Sequence, residues 1–321
     1  MYKPILALGL ASLLVTPALA QGYPEKPVRV IVPYNAGGAV DYLGRVLAQQ
    51  LSEELGQQFV VENRAGASGN IGAQAVASSE ADGYTLLMTS VTSSAITSAL
   101  QPDTAGYNLD EDLEGVGMVG LVPFLLVSSA QTPAANFDEF LAYALEQGDA
   151  LAYGSSGVGS AEHLGAELLA GIAGFEALHV PYTGAAPAMT DVVADRLPMM
   201  VATVPTALPH IDAGAVTPLV VALDSRIDSL PDVPSAPEAG IEGFDVVSLY
   251  GLLAPVGLSE DVKAALSEAL SAVVEDSEFT TALEERGILP VEGGVESAQD
   301  MFLADVEKWY TRVKNTDLTA E

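Results

Sequence analysis

The chain of 321 residues contains no cysteine. Disulfides, a thiolate nucleophile and thiolate-bound metals are therefore excluded, as is a lipid anchor on a Cys just after a leader. Basic residues are scarce: 12 Lys and Arg stand against 43 Asp and Glu, for a net charge of −31. That balance excludes a general nucleic-acid binder, because phosphate neutralisation needs a basic face. Lysine is rarest, with only Lys26, Lys263, Lys308 and Lys314 beyond position 20, which fits an acidic surface suited to high salt. Long apolar runs are missing too. Past residue 20 none reaches the roughly 18 residues of a membrane span, so a soluble protein is expected.

The first twenty residues read as a targeting segment. Lys3 gives a positive start, Ile5 to Val15 an apolar core too short to span a bilayer, and Ala18-Leu19-Ala20 a small-x-small cleavage pattern. A Sec-type signal peptide cleaved after Ala20, leaving Gln21 first, is expected, with the periplasm as destination. The remaining length suits two domains.

Apolar strand patterns then alternate with helical ones. Val28–Pro33, Phe59–Asn63 and Tyr84–Thr89 read as strands, Asp41–Leu55 and a segment from Gly66 to about Ser79 as helices, and Ser90–Ser94 as a turn. A second alternation runs from a strand at Val122–Ser128 through helix Phe137–Gln147, strand Leu151–Gly154, helix Ala161–Ile172 and strand Ala177–Val180. Helix Thr183–Val193 and strands Leu197–Thr203 and Val216–Leu223 follow, the last two separated by Pro205–Ala213. Residues 224–245 form a surface loop, Val246–Pro255 a strand, and Glu260–Asp276 and Ser297–Lys314 two amphipathic helices. This order predicts right-handed βαβ units in parallel sheets. The expected division is 21–124 with 246–321 as a discontinuous first domain and 125–245 as a second, crossing near Val122–Ser128 and Val246–Ala254.

Two segments share one device. Ile31-Val32-Pro33-Tyr34-Asn35-Ala36-Gly37-Gly38-Ala39-Val40-Asp41 and Leu151-Ala152-Tyr153-Gly154-Ser155-Ser156-Gly157-Val158-Gly159-Ser160 each run from a strand through a glycine turn into a helix. Such turns aim free N–H groups and the positive end of a helix dipole at whatever lies above the strand, which suits a small anion.

These segments resemble the tripartite tricarboxylate transporter substrate-binding proteins, the Bug family of periplasmic receptors. The likeness is carried by Tyr23–Tyr34, Gly37-Gly38 with Asp41, Val61–Gly72, Asp82–Leu87, His179–Ala188, Pro205–Ile211 and Leu230–Pro234, in order along the chain. The resemblance implies a two-domain Venus-flytrap fold, similar to the type II periplasmic binding proteins, with two crossover strands. It implies a receptor that captures a small organic carboxylate, a di- or tricarboxylate or an aromatic acid. The receptor would deliver it to a transporter of one large and one small integral-membrane subunit. A monomer without cofactor or metal is expected.

In the first turn the amides of Ala36, Gly37, Gly38 and Ala39 are the expected carboxylate donors, with the Tyr34 ring and the Asn35 amide beside them. Asp41 is expected to fix the turn. Ser155, Ser156 and Ser160 beside Gly157 are the candidates in the second turn, although Ser at a helix start is also ordinary capping. His163 is expected to pack or to bond the turn. Ser90 and Ser93 are placed on the rim, with Thr203 nearby.

Two departures from the family pattern bear on the ligand. Many relatives carry Asp-Asn where this chain has Ala202-Thr203, and Val40 replaces a hydroxyl residue. The lost acid argues against a cationic amino-acid ligand and for a purely anionic or neutral one, while Val40 with Tyr34 leaves room for an aromatic or aliphatic acid. No Arg falls inside the two turns, so neutral, dipolar backbone and hydroxyl donors are expected to hold the carboxylates. Catalysis is not expected: there is no Gly-x-Ser-x-Gly elbow and no P-loop, and the three histidines lie in separate segments. His163 and Glu167 alone do not make a metal site. A ligand-sensing module for a two-component system, and more distantly a secreted hydrolase, remain as alternatives.

Overall fold

The computed structural model describes residues 22–101 and 105–314. The signal-peptide reading lies outside them. Among the described residues no helix is long and apolar enough to cross a membrane.

The first part of the chain alternates β1 (Val28–Val32), α1 (Ala39–Leu55), β2 (Phe59–Asn63), α2 (Asn70–Ala77), β3 (Thr85–Ser90) and α3 (Val91–Leu100). A single turn, α4 (Leu109–Asp112), leads into β4 (Leu113–Ser129). There follow α5 (Phe137–Gln147), β5 (Ala152–Ser155), α6 (Ala161–Ala173), β6 (Leu178–Pro181), α7 (Ala185–Val193), β7 (Met199–Thr203), α8 (Val204–Asp212) and β8 (Val216–Val221). The chain closes with β9 (Val247–Pro255), α9 (Glu260–Glu275), α10 (Ser277–Glu284) and α11 (Ala298–Lys314).

The strands lie in the order β2-β1-β3-β9-β4-β7-β5-β6, with β8 also on β4. β1 pairs in parallel with β2 and β3, and β5 with β6 and β7, while every pairing of β4 is antiparallel. β4 joins two halves. Leu113 to Pro123 pair with β9, and Phe124 to Ser128 pair with β7. The chain recrosses beside this point: Val246 accepts from Phe124 N at 3.2 Å and donates to Ala222 O at 3.0 Å.

Both faces of each half are covered, and alternation decides which residue goes where. Val30 and Val32 face Leu43, Leu47 and Leu270 of α1 and α9, while Ile31 and Leu87 face Val91 and Phe302 of α3 and α11. In the second half Leu126 faces Phe140 and Leu169 of α5 and α6, and Leu125 and Val127 face Met189 and Leu208 of α7 and α8.

Two local expectations are corrected, at the start of β4 and at Ser90–Ser94, and two helices are added. β4 begins at Leu113 rather than near Val122, because Gly115, Gly117 and Gly120, which weaken an isolated strand, here let neighbours approach. A Cβ on them would meet Ala298 O at 2.7 Å, Leu270 Cδ1 at 2.9 Å and Ile288 Cγ2 at 2.7 Å. The stretch after β7 is helical, since Pro205 sits in the first turn of α8, where its missing N–H costs nothing. Ser90–Ser94 is not a turn: Ser90 caps α3 by accepting from Ser93 N at 3.1 Å. Helix α10, absent from the sequence reading, is capped by Asp276.

Gly115→Ala drives its Cβ into the backbone that opens α11. It is expected to destabilise the protein by about 1–3 kcal/mol, measured by urea unfolding; an unchanged midpoint would refute the close approach.

Candidate functional site

Five helices begin at one place. The N-termini of α1, α3, α6, α7 and α8 bring Gly38, Ala39, Ser90, Glu162, Ala185 and Thr203 to a single cavity between the halves, completed by Tyr34, Asn35, Val40, Asp41, Ser93, Ser156 and Tyr250. Side chains cap α3 and α6, through Ser90 and Ser160, whereas α1, α7 and α8 have no capping side chain. Their first N–H groups are therefore the open donors of the site.

The first turn is held from below. Gly37 takes a positive φ of 95°, and its N–H donates to Asp41 Oδ2 at 3.0 Å. Arg45 grips the same carboxylate through Nε at 3.1 Å and Nη2 at 2.8 Å, and Asn63 Nδ2 donates to it at 2.9 Å. Burial raises the Asp41 pKa, but the hydrogen bonds from Arg45, Gly37 and Asn63 outweigh it and hold the carboxyl below its ordinary value.

In the second turn Ser160 Oγ accepts from His163 N at 3.2 Å, and His163 Nδ1 accepts from Gly159 N at 3.1 Å. His163 stacks on His179 with centroids 3.9 Å apart and planes 9° from parallel. His179 Nε2 lies 2.5 Å from Ser155 Oγ. Burial, reinforced by His163, pushes the His179 pKa down to about 4, so that ring is neutral near pH 7; burial lowers the His163 pKa as well.

The halves meet across the cavity. Asn35 Nδ2 donates to Thr183 Oγ1 at 2.6 Å and Ala161 N to Ser93 Oγ at 3.2 Å, while a Cβ on Gly157 would lie 2.6 Å from Ser68 Oγ. The free space in the cavity is about 20 Å³, room for one or two waters.

The candidate residues divide. Tyr34, Asn35, Gly38, Ala39, Ser90, Ser93, Ser156 and Thr203 line the cavity. Ala36 and Gly37 lie exposed at its edge, and the Gly37 N–H is committed to Asp41. Ser155 is sealed against His179, Ser160 serves as a cap, and the Gly157 N–H donates to Ser155 Oγ at 3.1 Å.

The expectation of a site without a free acid is overturned. Glu162, 5% exposed, lines the cavity and accepts from Ser156 Oγ at 2.7 Å. Burial pushes its pKa above the ordinary value, against hydrogen bonds from Ser156, its own N–H and Ser160. Ser160 as a cap puts Glu162 at the second helical position, a signal present in the sequence. Tyr250 carried no such signal: it reads as one more apolar strand residue, and only its pairing with Ser90 brings it to the cavity.

Two sheet halves closing on a cavity of helix N-termini define a solute-binding protein of the clamshell kind. The family model described as tripartite tricarboxylate transporter family receptor matches residues 43–318, and the chain belongs to that family. It is 31% identical to Protein BugT of Bordetella pertussis over 94% of this chain and 93% of that one. The solved periplasmic binding protein BugD superposes with a TM-score of 0.87 at 31% identity, covering 92% of this chain and 99% of that one. Rpa4515 of R. palustris with adipate gives 0.86 at 33%, covering 91% and 97%. MatC of Rhodopseudomonas palustris with bound malate gives 0.84 at 29%, covering 91% and 100%.

His179 sets a pH dependence. Its folded pKa is depressed, so the stability it contributes is intact above about 6.5 and is lost as the pH falls through about 4. The slope is at most about 1.4 kcal/mol per pH unit, reduced because the ring is partly exposed and solvent screens it. His179→Asn is expected to flatten the Tm-versus-pH curve across this window; parallel curves would refute the assignment.

Proposed function

We propose that this chain is a periplasmic receptor that captures a small organic carboxylate between its halves. It delivers that carboxylate to a membrane transporter of the tripartite tricarboxylate type, with one large and one small integral subunit. The observation that carries the reading is the convergence of three helix N-termini without side-chain caps on a buried cavity. Each offers unpaired N–H donors and about half a positive charge to an anion. Adipate and malate in two solved relatives support a carboxylate as the ligand class.

The domains divide as 21–124 with 246–321, and 125–245. The hinge is the paired crossing at Pro123–Phe124 and Val246, where only two backbone segments must bend. The ligand contacts are Tyr34, Asn35, Gly38, Ala39, Ser90, Ser93, Ser156 and Thr203. Hydrogen bonds to a charged acceptor contribute about 1.5–3 kcal/mol each, so roughly four to six support micromolar affinity after ordering costs. The protein acts as a monomeric carrier and turns nothing over.

Binding stabilises the folded state by RT ln(1 + [L]/Kd), about 2.7 kcal/mol at a hundred times Kd. A thermal-shift screen of mono-, di- and tricarboxylates, aromatic ones included, is expected to raise Tm by several degrees for at least one. A flat response across the set would overturn the reading.

A further inference from the structure

Two features of opposite preference share the cavity lining: the open N-termini of α1, α7 and α8, which favour negative charge, and the carboxyl of Glu162 in the first turn of α6. Two acids line the cavity, and they differ in how they are balanced. Asp41 is met by the Arg45 guanidinium at 2.8 Å. Among the described residues Glu162 has no cation within ion-pair distance, and no Lys, Arg or His lines the cavity. Its Ser156 partner is a hydroxyl that donates to it, the arrangement of a carboxylate held as an acceptor. Tyr34 and Tyr250 stand close enough for its charge to raise their pKa values, although burial is the larger cause for both.

A buried carboxyl without a cation either takes up a proton, the direction in which burial already moves Glu162, or keeps its charge when a partner supplies the cation. A ligand bearing only carboxylates adds negative charge beside it; a ligand bearing a protonated amine neutralises it.

We infer that Glu162 is a specificity-determining residue that receives a protonated amine, so that the carboxylate this receptor captures is an amino carboxylate with its acid group on the helix N-termini and its ammonium on Glu162. This rests on the carboxylate-receptor reading above and narrows it.

The test is calorimetric titration at pH 7 with matched pairs differing only in the amine: L-aspartate and succinate, L-glutamate and glutarate, L-phenylalanine and 3-phenylpropionate. Wild type is expected to bind the amino member of at least one pair ten or more times tighter than its partner. Glu162→Gln is expected to erase that ratio while binding the amine-free member as well or better. If Glu162→Gln does not fold, as judged by its melting curve, the wild-type ratio decides alone. Equal or tighter binding of the amine-free members by wild type overturns the inference and leaves the carboxylate reading standing. So does a wild-type preference that persists undiminished in folded Glu162→Gln, which would place the amine elsewhere. Binding of no member overturns both.

Discussion

Each of β1, β3, β5, β6 and β7 delivers the N-terminus of the helix that follows it to the same gap, and this directional constraint organises the molecule. Parallel strands end at one edge of a sheet, so the helices that follow them start there. The two halves present those edges to each other across the shared strand β4. A cavity walled by helix starts is thus a consequence of topology, and side chains only adjust it: Ser90 and Ser160 close two starts, while the starts at Gly38, Gly184 and Thr203 are left without caps.

The same constraint makes the proposed anion site compatible with a chain of net charge −31. Long-range repulsion is screened over about 10 Å at 0.1 M salt, whereas N–H donors inside a closed cavity act at contact distance. Recognition is therefore short-ranged and needs the halves together. Asp41 shows how an acid is kept from spoiling such a site, since Arg45, Asn63 and the Gly37 N–H absorb it from behind. Glu162 has only hydroxyl and amide help, which is why it stands out in the cavity.

The sequence made much of the layout legible. Strand positions β1 and β2, helices α5, α6, α9 and α11, and the glycine turn before α1 follow from local pattern, because alternation, caps and turn residues act over a few positions. Tyr34, Asn35, Gly38, Ser156 and their neighbours were legible for the same reason, lying in or beside a strand–turn–helix unit. The first half of β4 was not predicted as strand, because the meaning of Gly115, Gly117 and Gly120 lies in α9, α11 and Ile288, far along the chain. Substitution at Ala202-Thr203 suggested that the site had lost its acid, yet Glu162 enters the cavity from the start of α6, where the Ser160 cap marks it as a first-turn residue.

By itself, then, the sequence determined a cysteine-free, acidic, two-part α/β chain with two strand–turn–helix units, since composition and local periodicity require no long-range contact. Tertiary structure alone decided which donors remain open. The Gly37 amide is committed to Asp41, the Ser155 hydroxyl to the stacked His179, and Glu162 is enclosed with Tyr250 and Ser90. A donor or a charge is available only relative to its neighbours; some are local, as Asp41 is to Gly37, and others come from distant segments, as Ala161 on Ser93 and Asn35 on Thr183 show.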